Sequence, residues 1–167
     1  WSFVGAGLVA WTRRPTNPIG RLMCLTGFTW LLSALAASSL TAAYTVGLLF
    51  GAAALATSVH VILAFPDGRL ASTVERAVVA LAYVVAVPLQ ILALLVLDPA
   101  TSRADCSDCP PNALLIGADD TMANAIIVVQ NLAAVAITLS VIVILARRWR
   151  GATSAARRTL APVLLAS

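Results

Sequence analysis

Four stretches of about 19–21 residues contain no Asp, Glu, Lys or Arg: Leu22–Leu40, Val46–Phe65, Ala77–Leu97 and Ile126–Ala146. At 1.5 Å rise per residue, each spans roughly 30 Å as a helix, the thickness of a bilayer's hydrocarbon core. Hydrocarbon offers no hydrogen-bond partners, so only helices and closed barrels cross it. The stretches are rich in Val, Ile and Thr, yet none alternates apolar with polar residues, and the pattern is helical. Composition agrees, at 60% hydrophobic and 11% charged, against roughly 45–50% and 25% for soluble domains. Three cysteines are too few to frame a disulfide-dense secreted scaffold. The expectation is an all-α polytopic transmembrane helical bundle, one membrane-embedded domain over residues 1–167. Shorter apolar segments at Trp1–Trp11 and Thr159–Ser167 fall below spanning length and read as partial helices at both ends of a fragment. No signal-peptide cleavage pattern precedes the first of them.

The connecting segments set direction. Arg13, Arg14 and Arg21 precede the first span, Arg69 and Arg76 separate the second from the third, and Arg147, Arg148, Arg150, Arg157 and Arg158 follow the fourth. Those loops hold ten of the eleven arginines and only Asp67 and Glu75 as acids. The segment 98–125 holds Arg103 against five aspartates. Arginine-rich loops stay cytoplasmic, which makes 98–125 extracytoplasmic and alternates the spans outward, inward, outward, inward. The expected location is a bacterial plasma membrane, the all-arginine basic set hinting at a GC-rich genome. Trp11 and Trp149 then mark the inner boundary and Tyr44 the outer turn, as interfacial belt anchors. The net charge of +4 points to inner-leaflet lipid as a partner. Scattered membrane-edge arginines do not form the basic face of a nucleic-acid binder.

Within the spans, Gly47 and Gly51 form a GxxxG continued by Ala54 and Ser58. Small residues let helices approach closely in lipid. The seam serves either packing within one subunit, the plainer reading, or dimerisation. His60 is the only histidine, and an imidazole at membrane depth is a candidate functional group. Equal depth places it opposite Tyr83, for a neutral hydrogen bond or, as the sharper reading, a proton or ligand sensor. Gln90 matches the depth of Gln130 and Asn131, where amides clamp helices or line a pocket. Pro88 removes a backbone donor and is expected to kink the third span. No catalytic set can be assembled, and no residues stand at metal-ligand spacing from His60.

The loop 98–125 carries Cys106 and Cys109. Outside the membrane, a CxxC reads as a structural disulfide, a redox-sensitive switch, or half a metal site with Asp105 and Asp108. Asp119, Asp120 and Thr121 are placed to cap the fourth helix. On the arginine side, two tight turns are rich in Pro and Gly: Arg14-Pro15-Thr16-Asn17-Pro18-Ile19-Gly20-Arg21, and Phe65-Pro66-Asp67-Gly68-Arg69-Leu70 followed by Glu75-Arg76.

These turns, with Gly27-Phe28 and Trp30 and with Cys106-x-x-Cys109-Pro110 ahead of Asn112, resemble the N-terminal multi-span membrane region of actinobacterial two-component sensor histidine kinases. The similarity covers most of the chain, through turn motifs. It implies a signal-input domain followed by a dimerising helical domain with a phosphoacceptor histidine and an ATP-binding domain. Those would use ATP and Mg, form a homodimer and phosphorylate a response regulator in a phosphorelay. None of that catalytic apparatus is encoded in these 167 residues, which contain no lysine and a single, intramembrane histidine, and no cofactor is expected for them. The function expected from the resemblance is transmission of a membrane or extracytoplasmic stimulus to a cytoplasmic kinase. The alternative is a small transporter or channel subunit, or a membrane scaffold. Transport would favour ionisable groups at the midplane and inverted repeats, and the sequence carries neither.

Overall fold

The computed structural model describes residues 2–99 and 109–151. Helix α1 (Ser2–Arg13) ends one residue before the Arg14-Pro15 step, where proline disfavours a helical residue ahead of it. Helix α2 (Ile19–Ser33) starts directly behind Pro18, with Asn17 Oδ1 accepting the Ile19 N–H at 2.9 Å. It tightens into a 3-10 turn, Ala34–Ala37, and stops at Ser38, whose backbone is extended. The first crossing is therefore Ile19–Ala37, three residues nearer the N-terminus than hydropathy suggests. The Asn17–Pro18 start sets one limit, and the extended Leu40 ahead of the next helix sets the other.

Helix α3 (Thr41–Ala64) runs without interruption into the Phe65–Pro66 turn. Helix α4 (Thr73–Val84) opens on a capping box. Ser72 Oγ accepts the Glu75 N–H at 3.1 Å while Glu75 Oε2 accepts the Ser72 N–H at 3.2 Å. Ser72-Thr73-Val74-Glu75 carries the S-x-x-E signature of such a start. A π-turn over Val85–Leu89 contains Pro88, and α5 (Gln90–Val96) completes the third crossing. The wider turn is where the ladder absorbs proline's missing donor. Helix α6 (Asp120–Gly151) is the longest, at 32 residues. Asp119 Oδ1 accepts the Met122 N–H at 2.9 Å, the cap expected of that acidic pair.

Four crossings are long and apolar enough to span a bilayer, and the described residues contain no strand. The chain is an all-α, multi-pass membrane protein. Helix α3 is its centre, touching α2 on one side and α4, α5 and α6 on the other. Helix α1 lies against α2. A small-residue core of Ala56, Ala82 and Ala86 closes around Ile137, with Val59, Val78, Tyr83 and Val141 packed against it. In lipid such contacts gain from dispersion and close approach rather than from expelling water.

The GxxxG faces inward. A Cβ on Gly47 would fall onto the backbone of Leu35 and Ala36, whereas one on Gly51 would meet only the Ser33 Cβ, 4.0 Å away. Ala54 is fully buried. Ser58 Oγ accepts the Trp30 indole N–H at 3.1 Å and lies 2.7 Å from the Ala54 carbonyl. One residue back on each helix, the Thr29 and Thr57 hydroxyls meet at 3.1 Å. The seam joins α3 to the first crossing of the same chain, which is the plainer of its two readings.

Candidate functional site

One end of the bundle carries the arginines of the connecting turns, and the other carries the segment that joins α5 to α6. We call them the arginine end and the loop end. Between them, polar side chains form a column that ties α3, the α4–α5 crossing and α6 together at four depths.

At the loop end, Asn112 is buried. Its amide Nδ2 donates to the Leu94 carbonyl and, at 3.3 Å, to the Leu97 carbonyl. Its Oδ1 accepts the Leu114 N–H at 2.9 Å and stands 3.4 Å from Thr45 Oγ1. The Thr45 hydroxyl in turn accepts the Ala113 N–H at 2.9 Å. Two more backbone bonds, Ile116 N–H to Leu95 O at 2.9 Å and Asp119 N–H to Val96 O at 3.2 Å, complete the end of α5. A helix C-terminus leaves carbonyls without intrahelical partners, and this returning segment supplies donors to several of them. Tyr44, expected as an interfacial anchor, is instead buried at 3% exposure. Its hydroxyl donates to Cys109 Sγ at 3.4 Å. The phenol is used for packing and a specific contact because α3 already begins at Thr41, so Tyr44 is in the helix's first turn and its side chain faces inward. Cys109 is disulfide-bonded. Cys106, with Asp105 and Asp108, lies outside the described residues.

Below this, Gln130 Nε2 of α6 donates to Gln90 Oε1 of α5 at 2.9 Å. Asn131 does not join them. It is exposed on the outside of α6, because successive helical residues point about 100° apart. Deeper still, His60 Nδ1 of α3 lies 3.2 Å from the Tyr83 hydroxyl of α4. The two rings meet edge to face at 5.8 Å. Both are half-buried. The pair needs no net charge, since a phenol donates to a neutral imidazole nitrogen.

At the arginine end, Arg148 of α6 closes the column. Its guanidinium donates to Glu75 Oε1 at 2.9 Å, to Leu63 O at 2.7 Å and to Phe65 O at 3.3 Å. Glu75, buried at 5% exposure, also accepts the Ala71 N–H at 2.7 Å. One planar fork thus binds the carbonyls that end α3 and the carboxylate that caps α4. No sequence pattern pairs a residue at 148 with one at 75.

Beside it, the two turn motifs interlock. Asn17 Nδ2 donates to Pro66 O at 3.3 Å. Gly68 has φ +71, and a Cβ there would press on Ile19 N at 2.5 Å and Pro18 Cγ at 2.7 Å. Only glycine takes that conformation and that fit without strain. Arg21 lies over the Trp11 ring at 5.4 Å and donates to Pro15 O at 3.3 Å. Gly20 is buried against α1, while Arg14, Asp67, Arg69 and Arg76 stay exposed. Thr16, Asn17, Asp67, Arg69 and Ala71 line an open cleft of about 380 Å³.

Chemically, the column holds helices in register and offers two neutral pairs, an ion pair and a tethered loop. Among the described residues, no three of His, Cys, Asp and Glu converge to hold a metal ion. Compared with known proteins, the chain matches no family model, no curated protein and no solved structure.

Proposed function

We propose that the chain is the membrane-embedded signal-input domain of a two-component sensor histidine kinase, with its arginine end in the cytoplasm of a bacterial cell and the Cys109 loop outside. The observation that carries this reading is the polar column. The extracytoplasmic segment is bonded to the tops of α3 and α5, and the far end of α6 is bonded to α3 and α4 through Arg148. A stimulus that shifts Asn112 or Tyr44 acts on helices that Arg148 reads at the other face. Helices that carry polar pairs at several depths have discrete packings, and a ligand that favours one packing shifts the population. The turn motifs at the arginine end add the resemblance already described.

Under this reading the downstream part of the gene product binds ATP and Mg, dimerises and phosphorylates a response regulator. The test is the full-length gene product in nanodiscs with ATP. It is expected to autophosphorylate on a histidine beyond Ser167, and Arg148→Leu is expected to change that basal rate. A gene product with no kinase activity, or phosphate on His60, refutes the proposal. Sidedness is checked separately in intact cells, where a membrane-impermeant thiol reagent should label Cys109 after mild reduction. Labelling that needs broken cells would place the loop on the wrong side.

A further inference from the structure

Helix α6 is the least covered crossing: 11% of its apolar window is buried, against 28–33% for the other three. Its outward face has an ordered pattern. Asn124, Val128, Asn131, Val135, Thr138 and Ile142 are all exposed and follow one another at alternating spacings of four and three. That spacing is the a/d seam of a left-handed coiled coil, with β-branched Val128, Val135 and Ile142 at a and the polar Asn124, Asn131 and Thr138 at d. From Asn124 to Ile142 the seam is about 27 Å long, close to the hydrocarbon thickness.

An apolar face in lipid needs no cover, so the valines alone say nothing. Asn131 does. It lies about 7–8 Å inside the uncharged stretch that opens at Ile126, it is exposed, and its amide has no hydrogen-bond partner among the described residues. Thr138, by contrast, satisfies its hydroxyl on the Ala134 carbonyl at 2.8 Å. A primary amide has both donors and an acceptor, and leaving them in hydrocarbon is unfavourable. An amide is also its own complement, so two copies related by a twofold axis satisfy each other. All copies cross the membrane in the same direction, which makes such a pair parallel and brings like depths together. Arg147 and Arg150 lie about 160° and 100° round the helix from Asn131, so neither of these two meets its counterpart across the axis.

We infer that α6 is a dimerisation helix: a second copy of this chain packs on the Asn124–Ile142 seam, with the two Asn131 amides bonded to each other inside the membrane. This stands apart from the proposed function, because a scaffold or transporter would use the same seam, and it requires no downstream domain.

The test is oxidative cross-linking of the 167-residue chain in native membranes. Val128→Cys, Asn131→Cys and Val135→Cys are expected to give disulfide-linked dimers. Val129→Cys and Val143→Cys, equally exposed but on another face, and the parent chain are expected to give none. In nanodiscs, Asn131→Leu should weaken dimerisation about 3–30-fold, the range measured for single interhelical hydrogen bonds in membranes, and Asn131→Gln should restore most of it. Equal cross-linking at seam and control positions, a monomer at all protein-to-lipid ratios, or dimers indifferent to Asn131→Leu would each overturn the inference. So would a seam covered by another segment of the same chain, seen as cross-links confined to the monomer band.

Discussion

Replacing Arg148 with leucine removes one side chain and unties three helices. The magnitude follows from burial. The Glu75 side chain is 7% exposed and that of Arg148 is 30%, so the pair lies between a buried ion pair and a surface one. Deleting one partner of a buried pair costs about 3–5 kcal/mol, whereas exposed pairs contribute about 0–1 kcal/mol. Arg148→Leu also strips donors from the carbonyls of Leu63 and Phe65, near the water boundary where solvent partly replaces them. We expect a loss of about 2–3 kcal/mol. Glu75→Gln keeps an oxygen for the Ala71 and Ser72 N–H groups but turns its amide NH2, a donor, toward the Arg148 guanidinium, so it loses the charge and the Arg148 bond together, and about 1–3 kcal/mol is expected. If the two groups act as a unit, the double variant falls short of the summed single losses by about 1 kcal/mol or more. The assay is reversible SDS titration in mixed micelles, followed by circular dichroism, on the parent, both singles and the double. An Arg148→Leu loss below about 0.5 kcal/mol, or strictly additive singles, would show that the fork does not hold the helix ends.

Three further outcomes can be checked on the same preparation. Gly47→Ala should destabilise strongly because its Cβ meets the Leu35–Ala36 backbone, while Gly51→Ala should be close to neutral; the reverse order in the SDS titration would misplace the α2–α3 seam. Asn112→Ala should cost about 2–3 kcal/mol, since it leaves the α5 carbonyls without their donor, and faster hydrogen exchange should appear at the end of α5. Tyr83→Phe removes the His60 partner and should cost about 0.6–2 kcal/mol, with a shifted imidazole nitrogen resonance as the direct readout; an unmoved resonance would mean the two rings do not bond.

The crossings were legible in the sequence because lipid judges each segment by its own length and polarity, which are local properties. So was the Asp119 cap, a contact over three residues, and so was the shared depth of His60 with Tyr83 and of Gln90 with Gln130, since depth is residue count multiplied by helical rise. Rotation about the helix axis was not legible. Helices α3 and α6 carry apolar residues on every side with polar ones scattered among them, so no apolar stripe marks an inward face. Depth therefore grouped Gln130 with Asn131, although one meets Gln90 and the other points out of the bundle. Tyr44 looked like a belt residue because its position near a turn was visible and its direction was not. In the sequence Arg148 and Glu75 are two charges at a membrane edge, since their pairing spans 73 positions of chain and depends on where α3 ends and α4 begins. Such contacts follow from how whole helices settle against one another, and only the tertiary structure decides that.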